Sequence, residues 1–249
     1  MITDIGGNKS LIQYEIDKTP REYAKTGGMD IGGLHVKPIL LYLSDTQSWV
    51  DKWELAKQHL DEQGFTGIYH LNGIHAKEWG IQGRHSFLLD GRPEEQHYVG
   101  DGNVGNYLSQ YAAYLVLDAL DYSHGLYLEG DARFKDGWKE EVAQALIDIG
   151  TDDWDILFLG SCCCAGKGAE HVKGNVWHFP YRGKDKWMLY PLCTHAYIIN
   201  KRCIKHMIAT NRDVANNTDI SMQYNSFPKM KVYAILPRLA DQFQNNLPE

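Results

Sequence analysis

A short apolar run, a helical stripe and a second short run, in that order, do most to narrow what this chain can fold into. Pro38-Ile39-Leu40-Leu41-Tyr42-Leu43 is free of charge, as suits a strand buried on both faces of a parallel sheet. Trp49, Trp53, Ala56 and Leu60 then recur at helical spacing, with Ser48 placed to cap the helix and Gly64 to end it. Gly67-Ile68-Tyr69-His70-Leu71 reads as the next strand. A β-α-β opening of this kind builds a parallel pair through a right-handed crossover.

The alternation continues. A helix is predicted over 105–122 on the stripe Leu108, Tyr111, Ala112, Leu115 and Ala119, and a strand over 125–128 that stops at Glu129-Gly130-Asp131. Another helix follows at 136–149, on Trp138, Val142, Ala145 and Ile149, and then a strand at 155–160. Further strands are expected at 175–179, 194–199 and 230–235, with a helix at 200–210. The class is therefore α/β, one Rossmann-like domain with a mainly parallel sheet. Its boundaries are set at residues 37–249, behind a polar, Gly-bearing N-terminal arm at 1–36. No apolar run is long enough to span a bilayer, and residues 1–10 lack the character of a secretory signal, so the expected location is cytoplasmic. The three consecutive cysteines Cys162, Cys163 and Cys164 alternate faces on a strand and do not make a metal pair. Disulfides are not expected in a reducing compartment.

In open α/β sheets, ligands bind beyond the carboxyl ends of the strands. Glu129-Gly130-Asp131 falls at such an end. Two carboxylates one residue apart can project to the same side, and Gly130 lets a ligand approach the backbone. Hard oxygen ligands suit Mg²⁺ or Mn²⁺, which bridges to phosphate oxygens. The structural alternative is a solvated turn. Asn72 and Gly73 follow the second predicted strand and are placed near a nucleotide on the same ground.

The order of motifs resembles glycosyltransferase family 25, which includes lipooligosaccharide and collagen galactosyltransferases. Gly102-Asn103-Val104-Gly105-Asn106-Tyr107-Leu108-Ser109, a helix, and Leu126-Tyr127-Leu128-Glu129-Gly130-Asp131 resemble its Gly-x-x-Gly-x-x-x-Ser start and its strand ending in Glu-Asp-Asp. Gly130 replaces the middle acid, and Gln110 stands where His often follows the Ser. Upstream, Leu71-Asn72-Gly73-Ile74 is similar to its Asp-Gly-Ile. Downstream, the similarity extends to Thr194-His195-Ala196-Tyr197, to Thr218-Asp219-Ile220, and to Tyr233-Ala234-Ile235-Leu236-Pro237 with Gln242. The resemblance covers about residues 38–242.

It implies a GT-A fold, a nucleotide-sugar donor such as a UDP-hexose, a Mn²⁺ or Mg²⁺ cofactor, and hexose transfer to a saccharide or other hydroxylated acceptor with inversion. A cation held by carboxylates would stabilise the diphosphate leaving group, and a base would take the acceptor proton. Glu129 and Asp131 are the candidate cation ligands. His195 is either a third ligand, a donor contact, or a hydrogen-bonded structural residue. Asp219 is the candidate base by carry-over, or else a helix cap. Ser109 either orients the metal loop or packs.

The segment 167–190 interleaves Lys167, Lys173, Arg182, Lys184 and Lys186 with Trp177, His178, Phe179, Tyr181, Trp187 and Tyr190. It reads as an acceptor or donor lid, or as a strand pair with buried aromatics. The segment leaves open a phage-type transferase acting on a DNA base, although the net charge of −7 opposes a polyanion partner. A non-catalytic nucleotide-sugar binder is the other alternative. Nucleotidyl transfer is set aside, because Leu43-Ser44-Asp45-Thr46 lacks a Gly-rich loop with basic residues.

Overall fold

The computed structural model describes residues 27–43, 47–75, 84–87, 96–150, 152–161, 168–181, 191–211 and 216–242. In chain order the elements are β1 (Met29–Ile31), β2 (Leu34–Tyr42), α1 (Gln47–Glu62), β3 (Tyr69–Asn72), β4 (Arg84–Phe87), β5 (Gln96–Val99), α2 (Asp101–Ala119), β6 (His124–Glu129), β7 (Ala132–Phe134), α3 (Trp138–Ile149), β8 (Ile156–Gly160), β9 (Glu170–Lys173), β10 (Val176–His178) and β11 (Ala196–Asn200). After a 3₁₀ turn at Lys201–Cys203 come α4 (Ile204–Thr210), α5 (Thr218–Ser221), a π-helical turn at Met222–Ser226, a further 3₁₀ turn at Phe227–Lys229, β12 (Val232–Ile235) and β13 (Ala240–Gln242).

The main sheet runs β1-β2-β6-β11-β8-β12-β10-β9, with β3 also paired to β2. β3, β6 and β2 are mutually parallel, as are β8 and β12. β11 runs antiparallel between β6 and β8, and β1 and β10 also run against the majority. The class is mixed α/β with a mainly parallel central sheet, as expected. The expected run at 194–199 is shifted to Ala196–Asn200 and reversed in direction.

Apolar residues fill both sheet faces, which is why the central strands have no polar alternation. Ile39, Leu41, Tyr127, Phe158 and Tyr197 face α2 and α4; Leu40, Leu126, Leu128, Leu157 and Ile198 face α1 and α3. α1 starts at Gln47, so Ser48 lies inside its first turn rather than capping it. Gly64, at φ 67°, ends it in the left-handed conformation that a side chain would strain. α2 starts at Asp101, four residues before the expected start, so Gly102 and Asn103 belong to its first turn.

Residues 29–36, assigned by sequence to the arm, are part of the sheet. Ile31 and Val36 are buried, and β1 pairs with the start of β2. Lys37 is fully enclosed. Its ammonium donates to the Gly27 carbonyl at 2.9 Å and lies over the Tyr122 ring, and burial pulls its pKa below the ordinary value. That bond fastens residue 27 to the sheet.

Two elements had no clear signal in the sequence. The antiparallel pair β4–β5 stands apart from the main sheet. The ribbon β7–β13 joins residues just after Asp131 to the last described strand, pairing Ala132 with Gln242.

Candidate functional site

A cavity of about 480 Å³ opens at the carboxyl ends of β2, β3 and β6. Leu41, Tyr42 and Leu43 come from the end of β2, Gly73, Ile74 and His75 from the turn after β3, and Glu129, Gly130 and Asp131 from the end of β6. The first two turns of α2 add Asp101, Gly102, Gly105 and Asn106, and Trp53 and Gln242 complete the wall.

Gly130 is explained by its surroundings. A Cβ there would stand 2.8 Å from the Leu41 carbonyl oxygen and 3.2 Å from the Tyr42 Cα. β2 and β6 are parallel neighbours with Leu41 opposite Glu129, so the turn after β6 passes over the end of β2. The acid at this place in the resembling family cannot be accommodated without parting the strands.

The two flanking acids differ sharply. Glu129 is enclosed, with its side chain 16% exposed. Its Oε1 accepts from Thr194 Oγ1 at 2.6 Å and Asn106 Nδ2 at 3.3 Å. Its Oε2 accepts from Gln242 Nε2 at 3.1 Å and lies 3.5 Å from His195 Nδ1. Its own N–H donates to the His195 carbonyl at 2.9 Å. Burial alone would push this carboxyl up, but the partners His195, Thr194 and Asn106 outweigh it and hold the pKa below the ordinary value. Asp131 faces the cavity, and among the described residues no side chain hydrogen-bonds to it. Burial and the nearby Glu129 charge push its pKa up to about 6.

The three expected cation ligands are held differently. Glu129, Asp131 and His195 are close in space, but they do not form a three-ligand cage. Among the described residues no group of three or more His, Cys, Asp and Glu is placed to share one ion. His195 is 1% exposed and sits behind Glu129 rather than on the cavity wall. The four lone-pair positions of Glu129 are all approached by protein groups. The Asp131 carboxylate, by contrast, accepts no side-chain hydrogen bond among the described residues, and its own backbone N–H and the nearby His195 and Lys52 favour its charge. That suits a Mg²⁺- or Mn²⁺-type site in which one or two carboxylates, water and substrate phosphates share the ion.

Gly73 lines the cavity, whereas Asn72, the last residue of β3, does not. Ser109 touches the cavity but is 4% exposed. Its hydroxyl donates to the Gly105 carbonyl at 2.7 Å and accepts from the Ile74 N–H at 2.8 Å. It therefore fastens the 73–75 turn to α2.

Asp219 lies in the first turn of α5, with Asn217 at the cap, and is not on the cavity wall. Its Oδ2 accepts from the Cys193 N–H at 2.9 Å and its Oδ1 from the Ile220 N–H at 2.8 Å. Cys193 has a φ of 67° and is disulfide-bonded, contrary to the expectation of free thiols; Cys203 is free and buried. Disulfide formation follows proximity in the fold, which cysteine spacing does not reveal.

Sequence reasoning missed the aromatic wall. Tyr42 and Trp53 stack with centroids 4.8 Å apart and planes 24° apart, and Trp53 meets His70 edge-on at 4.8 Å. Both had been read only as core positions, and their places at a strand end and in the next helix were the available signal. In the segment 167–190, the Trp177 ring packs at a tilt against His171, His178 packs at a tilt against Tyr233, and Phe179 is buried, as the strand-pair reading expects. Lys167, Arg182, Lys184, Lys186, Trp187 and Tyr190 lie outside the described residues.

No family model matches the chain, and no curated protein matches it. Among solved structures, it is similar to a glycosyltransferase involved in glycosylating the major capsid of PBCV-1, at 9% identity and a TM-score of 0.46, covering 85% of this chain and 94% of that one. It is similar to the glycosyltransferase GlyE of Streptococcus pneumoniae TIGR4 at 14% identity and a TM-score of 0.40, covering 81% of this chain and 46% of GlyE, less than half its length. A putative glucose-1-phosphate thymidylyltransferase from Bacillus anthracis is similar at 13% identity and a TM-score of 0.37, over 74% of this chain and 80% of that one.

Proposed function

We propose that this chain is a glycosyltransferase of the GT-A type that takes a nucleotide-sugar donor, a UDP-hexose or a close analogue, in the cavity at the ends of β2, β3 and β6. The observation that carries the reading is the cavity's mixed lining. It includes the stacked Tyr42–Trp53 pair with Leu43 and Ile74, apolar surface for a planar base. It also includes the Asp131 carboxylate and the amino end of α2, which suit a divalent cation and a diphosphate.

Asp131 would hold the cation, Mn²⁺ or Mg²⁺. When bound, the ion would offset the charge that develops on the departing diphosphate. Glu129 keeps Gly130 and Asp131 in register with the cavity. The turn at 73–75, pinned by Ser109, borders the nucleotide side. The acceptor is a hydroxyl-bearing molecule, a saccharide in the simplest case. Transfer with inversion further calls for a base on the acceptor side. The nucleic-acid alternative drew on Arg182, Lys184 and Lys186 and gains no support from the described residues.

Isothermal titration of nucleotide sugars with and without Mn²⁺, followed by a donor-hydrolysis assay, tests the reading. Cation-dependent binding with slow hydrolysis of one donor is the expected result. Binding without any turnover, with every acceptor offered, would favour the non-catalytic alternative. No binding in either condition would end the proposal.

A further inference from the structure

Four hydrogen bonds and two peptide-linked residue pairs close a ring beneath the cavity. Glu129 Oε1 accepts from Asn106 Nδ2, and Asn106 Oδ1 accepts from Thr218 Oγ1 at 2.8 Å. Thr218 is followed by Asp219, whose Oδ2 accepts from the Cys193 N–H. Cys193 is followed by Thr194, whose hydroxyl returns to Glu129 Oε1. The ring draws on α2, α5, the stretch before β11 and the end of β6. Thr194 is 4% exposed and Thr218 8%, so water does not readily replace these bonds.

We infer that Asp219 is a positioning residue of the proposed donor site, acting through Cys193 and Thr194 on Glu129 and so on Asp131. The inference rests on the glycosyltransferase reading for its functional meaning, although the ring itself does not. Three observations support it. Asp219 is off the cavity wall, which a base must reach. Both its oxygens accept backbone N–H bonds. Its contact residue, Cys193, has a left-handed backbone at φ 67°, a conformation that non-glycine residues hold only when neighbours impose it. The Asp219 carboxylate is one such neighbour, and the disulfide at Cys193 is another. It orients the peptide that presents the Thr194 hydroxyl to Glu129. Asn106 completes the ring from the other side, since its amide group both donates to Glu129 and accepts from Thr218.

The two roles for Asp219 differ in what an amide can replace. Asparagine keeps an oxygen able to accept the Cys193 N–H, but it cannot take a proton as a base. A positioning role therefore predicts that Asp219→Asn keeps Mn²⁺-dependent UDP affinity and turnover within a few-fold of wild type. Asp219→Ala should weaken Mn²⁺-dependent UDP binding about tenfold or more, because displacing the carboxylate end by even an ångström is costly. Equal loss of turnover in the Asn and Ala variants, with UDP binding unchanged in both, would overturn the inference and make Asp219 the base.

Unfolding separates this test from the function. Urea midpoints are measured for Asp219→Ala, Thr194→Val, Glu129→Gln and the Asp219→Ala/Glu129→Gln double variant. Residues in one network are non-additive, so the double variant should lose clearly less than the sum of its single losses. Additive losses would overturn the ring whether or not UDP binds. Thr194→Val retains shape, so its midpoint reads the hydroxyl alone if the Ala variant is too unstable to purify; an unchanged midpoint would also overturn the ring. If wild type binds none of UDP, GDP and dTDP with Mn²⁺, the glycosyltransferase reading fails, while the urea cycle still decides the ring.

Discussion

Asp131→Asn should make the free protein more stable at alkaline pH while removing the proposed cation ligand. A free Asp carboxyl ionises near 4 in an unfolded chain. In the folded protein, burial and the neighbouring Glu129 charge move that ionisation to about 6. A raised carboxyl pKa means that the folded state favours the protonated form. The associated stability is fully present below about pH 4, falls as pH rises through about 6, and is absent above it. At pH 8 the anion costs the folded state up to about 3 kcal/mol relative to the unfolded one. Asp131 retains some contact with solvent, which reduces the realised cost to about 1–2 kcal/mol. For a domain of this size that corresponds to a rise of about 2–8 °C in Tm for the Asn variant. At pH 4.5 the gain should shrink to about a third or less, because the wild-type carboxyl is then protonated in the fold. The assay is thermal melting of both proteins at pH 8 and 4.5 in chelator, then at pH 8 with Mn²⁺. Added Mn²⁺ should raise the wild-type Tm and leave the variant unmoved. An Asn variant that melts at or below wild type at pH 8 in chelator would refute the account of Asp131 as an anion disfavoured by burial and by Glu129. So would an equal gain at both pH values.

Other substitutions read different parts of the site. Ser109→Ala removes the acceptor for the buried Ile74 N–H and should cost about 1–3 kcal/mol, read as a lower urea midpoint, with weaker nucleotide binding. Trp53→Ala removes one ring of the aromatic wall and should weaken UDP binding by about tenfold or more in calorimetry, with little effect on Mn²⁺ affinity. Gly130→Ala forces a Cβ against the Leu41 carbonyl and should destabilise the fold by about 1–3 kcal/mol in urea; an unchanged midpoint would show that the turn yields easily.

The central strands were legible because each is buried on both faces, which leaves a short run with no polar alternation. β2, β6 and β8 all fall where the runs at 38–43, 125–128 and 155–160 place them. The carboxylate turn was legible for the same reason, since it is the first polar point after such a run. The direction of β11 was not, because Ala196–Asn200 has the composition of a parallel strand and only its neighbours fix its sense. The fate of Glu129 was hidden for a different reason. Its partners Asn106, Thr194 and Gln242 lie 23, 65 and 113 residues away in the chain. No local pattern announces that a strand-end acid will meet that many donors. The three-residue strands of the β7–β13 ribbon, pairing Ala132 with Gln242, are too short to carry a periodic signal.

The contact of Gly130 with the end of β2 also limits how this protein can change over time. Charge at the cavity mouth is tuned most directly by adding or removing acids in the turn after β6. Here any side chain at the middle position forces a shift, since even a methyl group meets the Leu41 carbonyl. Divergent copies of this chain can alter Asp131 or the Tyr42–Trp53 wall one substitution at a time. A third acid between Glu129 and Asp131 requires a coordinated shift of two strands. The turn therefore resists a third acid, and the cavity is more easily reshaped at the Tyr42–Trp53 wall.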